Sequence, residues 1–199
     1  MSRTKFSFED VLAAAYGILR RSGRTAVTSR AIAKALGSST MPVYSALGSM
    51  TRLEKALKTK AFASFADFQT RPYTPNVLLN IAVGQVLFAR DEPQLYRFLH
   101  LDRASVLNSP EHRVYEREVE RRLGTPIPFA AYLDRATLEN LDDISLNVWL
   151  FTHGLSMAVM DGLLGKITDR RIIALLQGAG GAFVTWEQTK KKSAKETRR

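Results

Sequence analysis

Apolar residues recur every three or four positions along most of the chain, and this spacing constrains the fold more than any other feature. The first instance lies within residues 8–19, where the apolar positions are Phe8, Val11, Leu12, Ala15, Ile18 and Leu19. This period places apolar side chains along one face of an α-helix. Alternating apolar and polar stretches bounded by hairpin turns, which would indicate strands, do not occur in the sequence. The sequence therefore predicts an all-α fold.

Capping residues, glycines and prolines divide the chain before Pro75 into four predicted helices. Ser7, with Asp10 three residues later, begins the first helix, and Gly23 ends it. The capping-box sequence Thr51-Arg52-Leu53-Glu54 begins a long fourth helix. The predicted ranges are about 8–19, 28–36, 40–47 and 51–70.

Further breaks predict six more helices after Pro75, which together form a helical body. Their ranges are about 75–91, 93–107, 110–123, 128–140, 143–164 and 168–189. Beyond residue 189 the chain is polar and basic, and we expect a frayed tail.

The net charge of +10 is concentrated at the two ends of the chain. Residues 1–60 hold 11 Lys and Arg against 3 Asp and Glu, a net charge of +8. Residues 61–186 hold 12 against 14, and residues 187–199 hold 6 against 2. A strongly basic end on a near-neutral body indicates that this end meets a polyanion.

Several classes of function lack the residues that they need. The chain has no cysteine, which excludes disulfide frameworks, zinc fingers, iron–sulfur ligation and thiol catalysis. Its three histidines, His100, His112 and His153, do not have the spacing of a two-histidine metal site, and we expect them to be satisfied or exposed. Because no group of residues indicates catalysis, we expect neither an enzyme nor a metal or other cofactor.

The sequence also predicts a cytoplasmic protein that does not enter a membrane. The most apolar stretch, residues 144–164, is interrupted by Asn147, His153 and Asp161, which makes it a poor membrane span. The N-terminus becomes acidic where a signal peptide needs its apolar run.

The unit of residues 28–47 is the most informative motif. Two short predicted helices are separated by a tight turn at Gly37 and braced by the longer first helix, which is the helix-turn-helix arrangement. The second helix of such a unit fits the DNA major groove, where its uncharged side chains approach base edges and thymine methyl groups. These side chains are Thr40, Met41, Pro42, Tyr44 and Ser45. The basic residues around them, which would contact phosphates, are Arg24, Arg30, Lys34, Arg52, Lys55 and Lys58.

A longer string of residues surrounds this unit. It comprises an apolar first helix with Ala14-Ala15, then Gly23, Thr28-Ser29-Arg30, Ile32-Ala33, Leu36-Gly37-Ser38-Ser39, Val43-Tyr44 and Leu53. With this string, residues 8–57 resemble the DNA-binding segment of the tetracycline-repressor (TetR/AcrR) family of bacterial regulators. The rest of the chain matches that family only in size and helical character.

The resemblance implies which residues lie at the DNA. The matching positions are Ser29, Arg30, Thr40, Met41, Pro42, Tyr44 and Ala46, and in the family the tyrosine reaches a phosphate. Leu47 stands where the family usually has an aromatic residue, and Met50 stands where it has a phosphate-contacting lysine, for which Arg52 or Lys55 would substitute. The complete predicted DNA-binding set is Ser29, Arg30, Ser39, Thr40, Met41, Pro42, Tyr44, Ser45, Ala46, Arg52 and Lys55.

The last two predicted helices suit a two-fold interface between copies of the chain. Residues 143–164 are apolar nearly all round, and residues 172–186 repeat apolar positions at helical spacing. An isologous four-helix bundle would cover both faces. The predicted interface residues are Val148, Leu155, Ala158, Val159, Leu175, Ala179, Ala182 and Trp186. The alternative is that both helices fill the core of a monomer.

The resemblance further implies a ligand pocket in the helical body, reached by the helix at 51–70. Polar and aromatic residues on apolar faces are the candidates for ligand contacts. The predicted ligand-binding residues are Phe65, Arg97, Asn147, Trp149 and His153.

These features predict a ligand-responsive bacterial transcriptional regulator, most simply a repressor, that binds double-stranded operator DNA as a homodimer. Residues 1–50 would form the helix-turn-helix domain, residues 51–190 the helical effector-binding and dimerisation domain, and residues 191–199 a basic tail. The effector is an unidentified small molecule. The alternative is a helical small-molecule-binding or interaction protein whose basic head binds another polyanion or a membrane surface. Against a membrane surface, residues 28–47 lack a continuous amphipathic basic face.

Overall fold

The computed structural model describes residues 6–101, 109–124 and 143–196, and these ranges contain nine α-helices and no strand. The helices are α1 (Phe8–Ser22), α2 (Ser29–Ala35), α3 (Thr40–Leu47), α4 (Met50–Gln69), α5 (Val77–Asp91), α6 (Pro93–His100), α7 (Pro110–Leu123), α8 (Asp143–Met160) and α9 (Asp169–Glu196). A short 3₁₀ helix, Arg24–Ala26, follows α1. The prediction of an all-α fold is confirmed for the described part of the chain.

Some predicted helix bounds differ from the structure. The helix predicted at 128–140 lies outside the described residues. Of the helix predicted at 93–107, the structure describes α6, which ends at His100, and residues 102–107 lie outside the described part of the chain. Helix α8 stops at Met160 instead of residue 164, because Gly162 turns the chain with a φ of 72°. Helix α9 continues to Glu196, so helical backbone covers most of the tail that we expected to be frayed.

The first helix begins as the sequence predicts, whereas the fourth does not. The Ser7 hydroxyl accepts a hydrogen bond from the Asp10 N–H, and the Asp10 carboxylate accepts one from the Ser7 N–H, which completes a capping box. At α4 the cap is Ser49, whose hydroxyl accepts from the Arg52 N–H at 3.1 Å. The predicted capping box at Thr51 is therefore wrong, and α4 begins two residues earlier than that box would allow.

By the density of their internal contacts, the helices form two compact units. The first comprises Met1–Ser64 and Glu92–Tyr115, and the second comprises Phe65–Asp91 and Glu116–Arg199. The packing boundary thus falls inside α4, past the functional boundary predicted near residue 50. Since a packing unit is not a functional domain, the division into a head and a body stays a prediction.

In the first unit, α1 packs against α2, α3 and α6. Its core consists of side chains that are almost completely buried, contributed by all of these helices and by the start of α4. They include Val11, Leu19, Ile32, Val43, Leu47, Leu53, Leu95 and Leu99. Arg20 at the end of α1 forms an ion pair with Glu92 just before α6. The short helices α2 and α3 are therefore held by a core that extends well beyond residue 50.

In the second unit, α5 packs against α8 and α9. Helix α5 is buried along most of its length, and its Phe88 ring lies 5.0 Å from that of Phe65 and 5.4 Å from that of Phe68. Gly84 permits the end of α4 to approach, since a Cβ at this position would lie 2.5 Å from the Cα of Gln69. None of the helices in the described ranges has the length and apolar character needed to cross a membrane.

Candidate nucleic-acid interface

Helices α2 and α3 are joined by a tight turn that backbone hydrogen bonds close at the end of α2. The Thr28 hydroxyl caps α2 by accepting from the Ala31 N–H at 3.1 Å. At the other end, the Ser38 N–H donates to the Ala33 carbonyl and the Gly37 N–H donates to the Lys34 carbonyl, which is the Schellman arrangement. Gly37 has a φ of 62°, in the left-handed region that glycine adopts without strain. This turn fixes the direction in which α3 leaves α2.

Helix α3 buries one edge and exposes the opposite one. Val43 and Leu47 belong to the core of the first unit, whereas Met41 is 65% exposed and Tyr44 is 56% exposed. The Ser45 hydroxyl donates to the Met41 carbonyl at 3.1 Å. The Ser39 side chain makes no capping hydrogen bond at the start of α3, so the first N–H groups of this helix are not covered by it. The exposed edge of α3 is therefore uncharged, with a large thioether and a phenol at its centre.

Five of the six predicted phosphate-contacting cations fall into two groups. Arg30, Lys34 and Lys55 are exposed, and no ion pair joins any of them to another described residue. Glu54, by contrast, pairs with Arg24 at 3.2 Å and with Lys58 at 3.7 Å. These two cations, which we expected to hold phosphates, are thus partly neutralised by a carboxylate to which the sequence pattern assigned a capping role.

Arg52 lies at the start of α4, where its guanidinium is 3.9 Å from the centre of the Phe8 ring. A guanidinium stacked on an aromatic face keeps its outer N–H groups available and loses part of its rotational freedom. Two residues earlier, the exposed Met50 has its sulfur 4.0 Å from the Ser29 hydroxyl. Met50 therefore contacts α2.

The structure brings the predicted DNA-binding residues together on α2, α3 and the first turns of α4, all in the first unit. None of them is buried. Ser29, Thr40, Pro42 and Ala46 are half-buried, and the exposed members are Arg30, Ser39, Met41, Tyr44, Ser45, Arg52 and Lys55. Lys34, a predicted phosphate contact outside that set, is also exposed and lies one turn after Arg30 on α2.

The second unit contains a cleft of about 930 Å³ between the loop before α5 and helices α5, α8 and α9. Apolar side chains provide most of its wall, among them Leu79, Val148 and Phe183. Polar side chains interrupt the wall at Asn76, Ser145, Thr152 and Gln177. Such a composition suits a molecule that is mainly apolar and carries few polar groups.

None of the five predicted ligand-binding residues lines this cleft. Phe65 is buried against Phe88, and Arg97 belongs to the first unit. Asn147 and Trp149 are half-buried on other faces of α8, and Trp149 stacks on His153 with 5.3 Å between ring centres. Burial lowers the pKa of His153, which favours its neutral form. The prediction of a ligand site at these five residues is untested, and the cleft is lined by other residues.

The predicted interface residues divide between the core and the surface of the second unit. Leu155 and Val159 are 8% and 7% exposed within a single chain, so they cannot be major contacts of a second copy, and this part of the prediction is corrected. Val148 and Ala179 line the cleft. Ala158 and Leu175 are half-buried, while Ala182 and Trp186 are exposed. The apolar spacing along α8 and α9 therefore includes residues of the unit's own core and does not identify interface residues by itself.

His112 is buried in the first unit against the rings of Phe62 and Tyr115, each with its centre 5.4 Å away. This burial lowers the pKa of His112 to about 4, because the charged imidazolium would lose its hydration. Within the described ranges, no three His, Asp or Glu side chains cluster as metal ligands would. His112 is thus a neutral core residue at physiological pH.

Comparison with models of known protein families gives no match, and comparison with curated proteins gives none either.

Proposed function

We propose that this chain is a ligand-responsive transcriptional regulator of the tetracycline-repressor type, which binds operator DNA as a homodimer. The α2–α3 unit would act as its helix-turn-helix. The observation that carries the proposal is the exposed, uncharged edge of α3, together with the exposed cations Arg30 and Lys34 on α2, which packs against α3, and Lys55 on α4. This arrangement lies in the part of the chain that holds the charge of +8.

A helix with an uncharged outer edge and flanking cations matches the division of labour at a DNA duplex. The major groove is wide enough to admit an α-helix, and base edges are read there. Cationic side chains next to the groove hold phosphates and fix the register without reading sequence. The N–H groups of Thr40 and Met41 at the start of α3, which Ser39 does not cap, would add contacts to a phosphate.

Direct binding to DNA tests the proposal. Purified protein is titrated into a labelled duplex from the region upstream of its own gene and into a random duplex of equal length, at several salt concentrations. We expect preference for the upstream duplex and an affinity that falls steeply as salt rises, because bound phosphates release their counterions. Equal affinity for both duplexes at physiological salt would refute the proposal.

A pair of variants ties the binding to the α2–α3 unit. Arg30→Ala should weaken binding to all sequences alike and lower the slope of log affinity against log salt by about 2, since each protomer of the dimer loses one phosphate contact. Lys166→Ala removes an exposed cation from the second unit and is the matched control, for which we expect an unchanged slope. An identical loss in both variants would show that only total charge matters.

The cleft of the second unit is the site that we propose for the effector. An effector that weakens DNA binding must bind the DNA-free state better, and DNA must weaken effector binding by the same factor. A screen of neutral, mainly apolar molecules by thermal shift should identify one that raises the melting temperature. Ala82→Trp, which fills the cleft, should remove this shift, whereas Ala174→Trp on the exposed side of α9 should keep it. A shift that survives Ala82→Trp would place the effector elsewhere.

The same cleft also favours the alternative function, a helical carrier of small molecules whose basic end meets another polyanion. The two functions differ in what the first unit binds. A carrier would bind heparin and random duplexes as well as any upstream duplex, and the Arg30→Ala variant would weaken all of them equally. Sequence preference among duplexes of equal length separates the regulator from the carrier.

A further inference from the structure

Helix α3 has no side chain that can form a pair of hydrogen bonds with one base. Its sequence, Thr-Met-Pro-Val-Tyr-Ser-Ala-Leu, contains no Arg, Lys, Asn, Gln, Asp or Glu. These six residue types provide the usual hydrogen-bonded recognition of guanine, adenine and cytosine in the major groove. Any distinction that α3 makes among bases must therefore depend on other contacts.

The exposed edge of α3 includes a large apolar side chain in the first turn of the helix. Met41 is the most exposed of the large apolar side chains on this helix, at 65%. Ser45, one turn later, uses its hydroxyl proton for the Met41 carbonyl, which leaves that hydroxyl without a free donor. Pro42 has no N–H group and adds further apolar surface beside Met41. The exposed edge of α3 thus carries a thioether next to the carbon surface of Pro42.

The thymine 5-methyl group is the apolar feature that the base edges present in the major groove. A methionine side chain is unbranched and polarisable, so it adapts to a methyl group whose position varies slightly between sites. On the basis of the function proposed above, we propose that Met41 reads thymine methyl groups and that each half-site has a thymine facing it. The partner of this surface is therefore duplex DNA with thymine at defined positions, and Met41 is the residue that determines specificity there.

The test removes the methyl group alone. The preferred sequence is first selected from a random duplex library with the full-length protein. Each thymine of the selected half-site is then replaced by deoxyuridine, which differs only in the methyl group, and affinities are measured by fluorescence anisotropy at fixed salt. Loss of one buried methyl contact should weaken binding by about fourfold at the thymine that faces Met41. Thymines outside the contact should show no change.

Protein variants assign the effect to Met41. In Met41→Ala the ratio of affinities for thymine and deoxyuridine at that position should fall to about one, whereas Met41→Leu should preserve most of it, because leucine keeps the apolar contact. Leu163→Ala is the control, since it truncates a highly exposed apolar side chain that lies in the second unit, away from α3 in the sequence. It should leave the ratio at its wild-type value. Because Met41 is exposed, its replacement should leave the thermal unfolding transition in place.

The outcomes separate this inference from the function on which it rests. If the library yields no preferred sequence, the proposed regulator itself is refuted. If a sequence is selected but every deoxyuridine duplex binds as tightly as its thymine parent, DNA recognition stands and reading of methyl groups is refuted. If one position is sensitive and remains equally sensitive in Met41→Ala, another residue makes the contact, and the assignment to Met41 is wrong.

Discussion

Two glycines show how a single residue constrains the fold for different reasons. Gly37 has a φ of 62° at the turn between α2 and α3, yet a Cβ added there would meet no atom within 4 Å. Gly84 is helical, but a Cβ would collide with the backbone of Phe68 and Gln69. The first position requires glycine for its dihedral angle alone, and the second requires it for space alone.

Gly37→Ala should destabilise the protein by about 1 kcal/mol, because alanine in the left-handed region is strained while no steric clash adds to the loss. Gly17→Ala is the matched control in the same unit. Gly17 lies inside α1, where alanine favours the helix by about 0.8–1 kcal/mol, and its close neighbour is the flexible end of Arg21. Urea unfolding should therefore shift the two midpoints in opposite directions. A shift of the same sign in both would contradict this account.

His112 couples the stability of the protein to pH through its burial. Its pKa is about 4 in the folded chain, compared with an ordinary value of 6.5 for an unfolded one. Between these values the unfolded chain binds a proton that the folded chain does not bind. Stability is therefore complete above pH 6.5 and is lost as the pH falls toward 4. Below this range, carboxylates with lowered pKa values, Asp10 and Glu118, take over the dependence.

Replacing His112 by phenylalanine should flatten this part of the pH profile. The wild-type free energy of unfolding should decline by on the order of 2–3 kcal/mol between pH 6.5 and 4 on account of this group. The variant keeps an aromatic ring against Phe62 and Tyr115 and cannot be protonated. Urea titrations at half-unit intervals of pH measure the slope. An equally steep decline in the variant would assign the dependence to other groups, of which His153 has a shift of the same sign.

At the scale of helices, the start of α4 shows where local pattern and tertiary contact differ. Thr51 and Glu54 have the spacing of a capping box, but Ser49 makes the cap. Glu54 faces Arg24, which lies thirty residues away, and Lys58 one turn later. A carboxylate engaged by two cations is not available to a backbone N–H group. A sequence pattern cannot reveal this competition, because the pairing depends on how α4 lies against the 3₁₀ helix Arg24–Ala26.

Ser49→Ala should therefore destabilise the protein by about 1 kcal/mol, the usual loss on removing a helix cap. Thr51→Ala should change stability by less than about 0.5 kcal/mol, as an exposed substitution without a capping role. Both variants remove one hydroxyl within the first residues of the same helix, so each controls for the other in thermal unfolding. A larger loss of stability in Thr51→Ala than in Ser49→Ala would support the capping box that the sequence predicts.

Element positions were largely predictable from the sequence, and the use of apolar faces was not. The turn at Gly37 and the helices on either side of it follow from local signals: a capping threonine, a glycine and an apolar period. The apolar faces of α8 and α9 did not indicate whether they pack in the core of one chain or against a second copy. Leu155 and Val159 have the same spacing as interface residues would have, but they are buried within one chain. Periodicity identifies a covered face and does not state which surface covers it.

At the scale of the whole molecule, the proposed function requires both the basic charge of the first 60 residues and a two-fold symmetric dimer. The sequence concentrates +8 in its first 60 residues, and a single helix-turn-helix buries too little of a duplex for tight, specific binding. A two-fold dimer would double the contacts and present two recognition helices to successive turns of one DNA face. On α8 and α9 the exposed, small or apolar residues available for such a contact are Leu150, Gly154, Gly178, Gly181, Ala182 and Trp186.

The dimer is tested by the mass in solution. Light scattering at micromolar concentration should give about twice the chain mass of 22.2 kDa. Ala182→Glu places a charge on the exposed side of α9 and should return the protein to monomers, because an unpaired carboxylate would be buried in the interface. Ala13→Glu, at an exposed position of α1, is the control and should remain dimeric.

The Ala182→Glu monomer should bind a single half-site as the wild type does. It should lose the wild-type preference for two half-sites about one helical turn apart, or a multiple of that spacing. A wild-type monomer, or a dimer that Ala182→Glu leaves intact, would refute this interface.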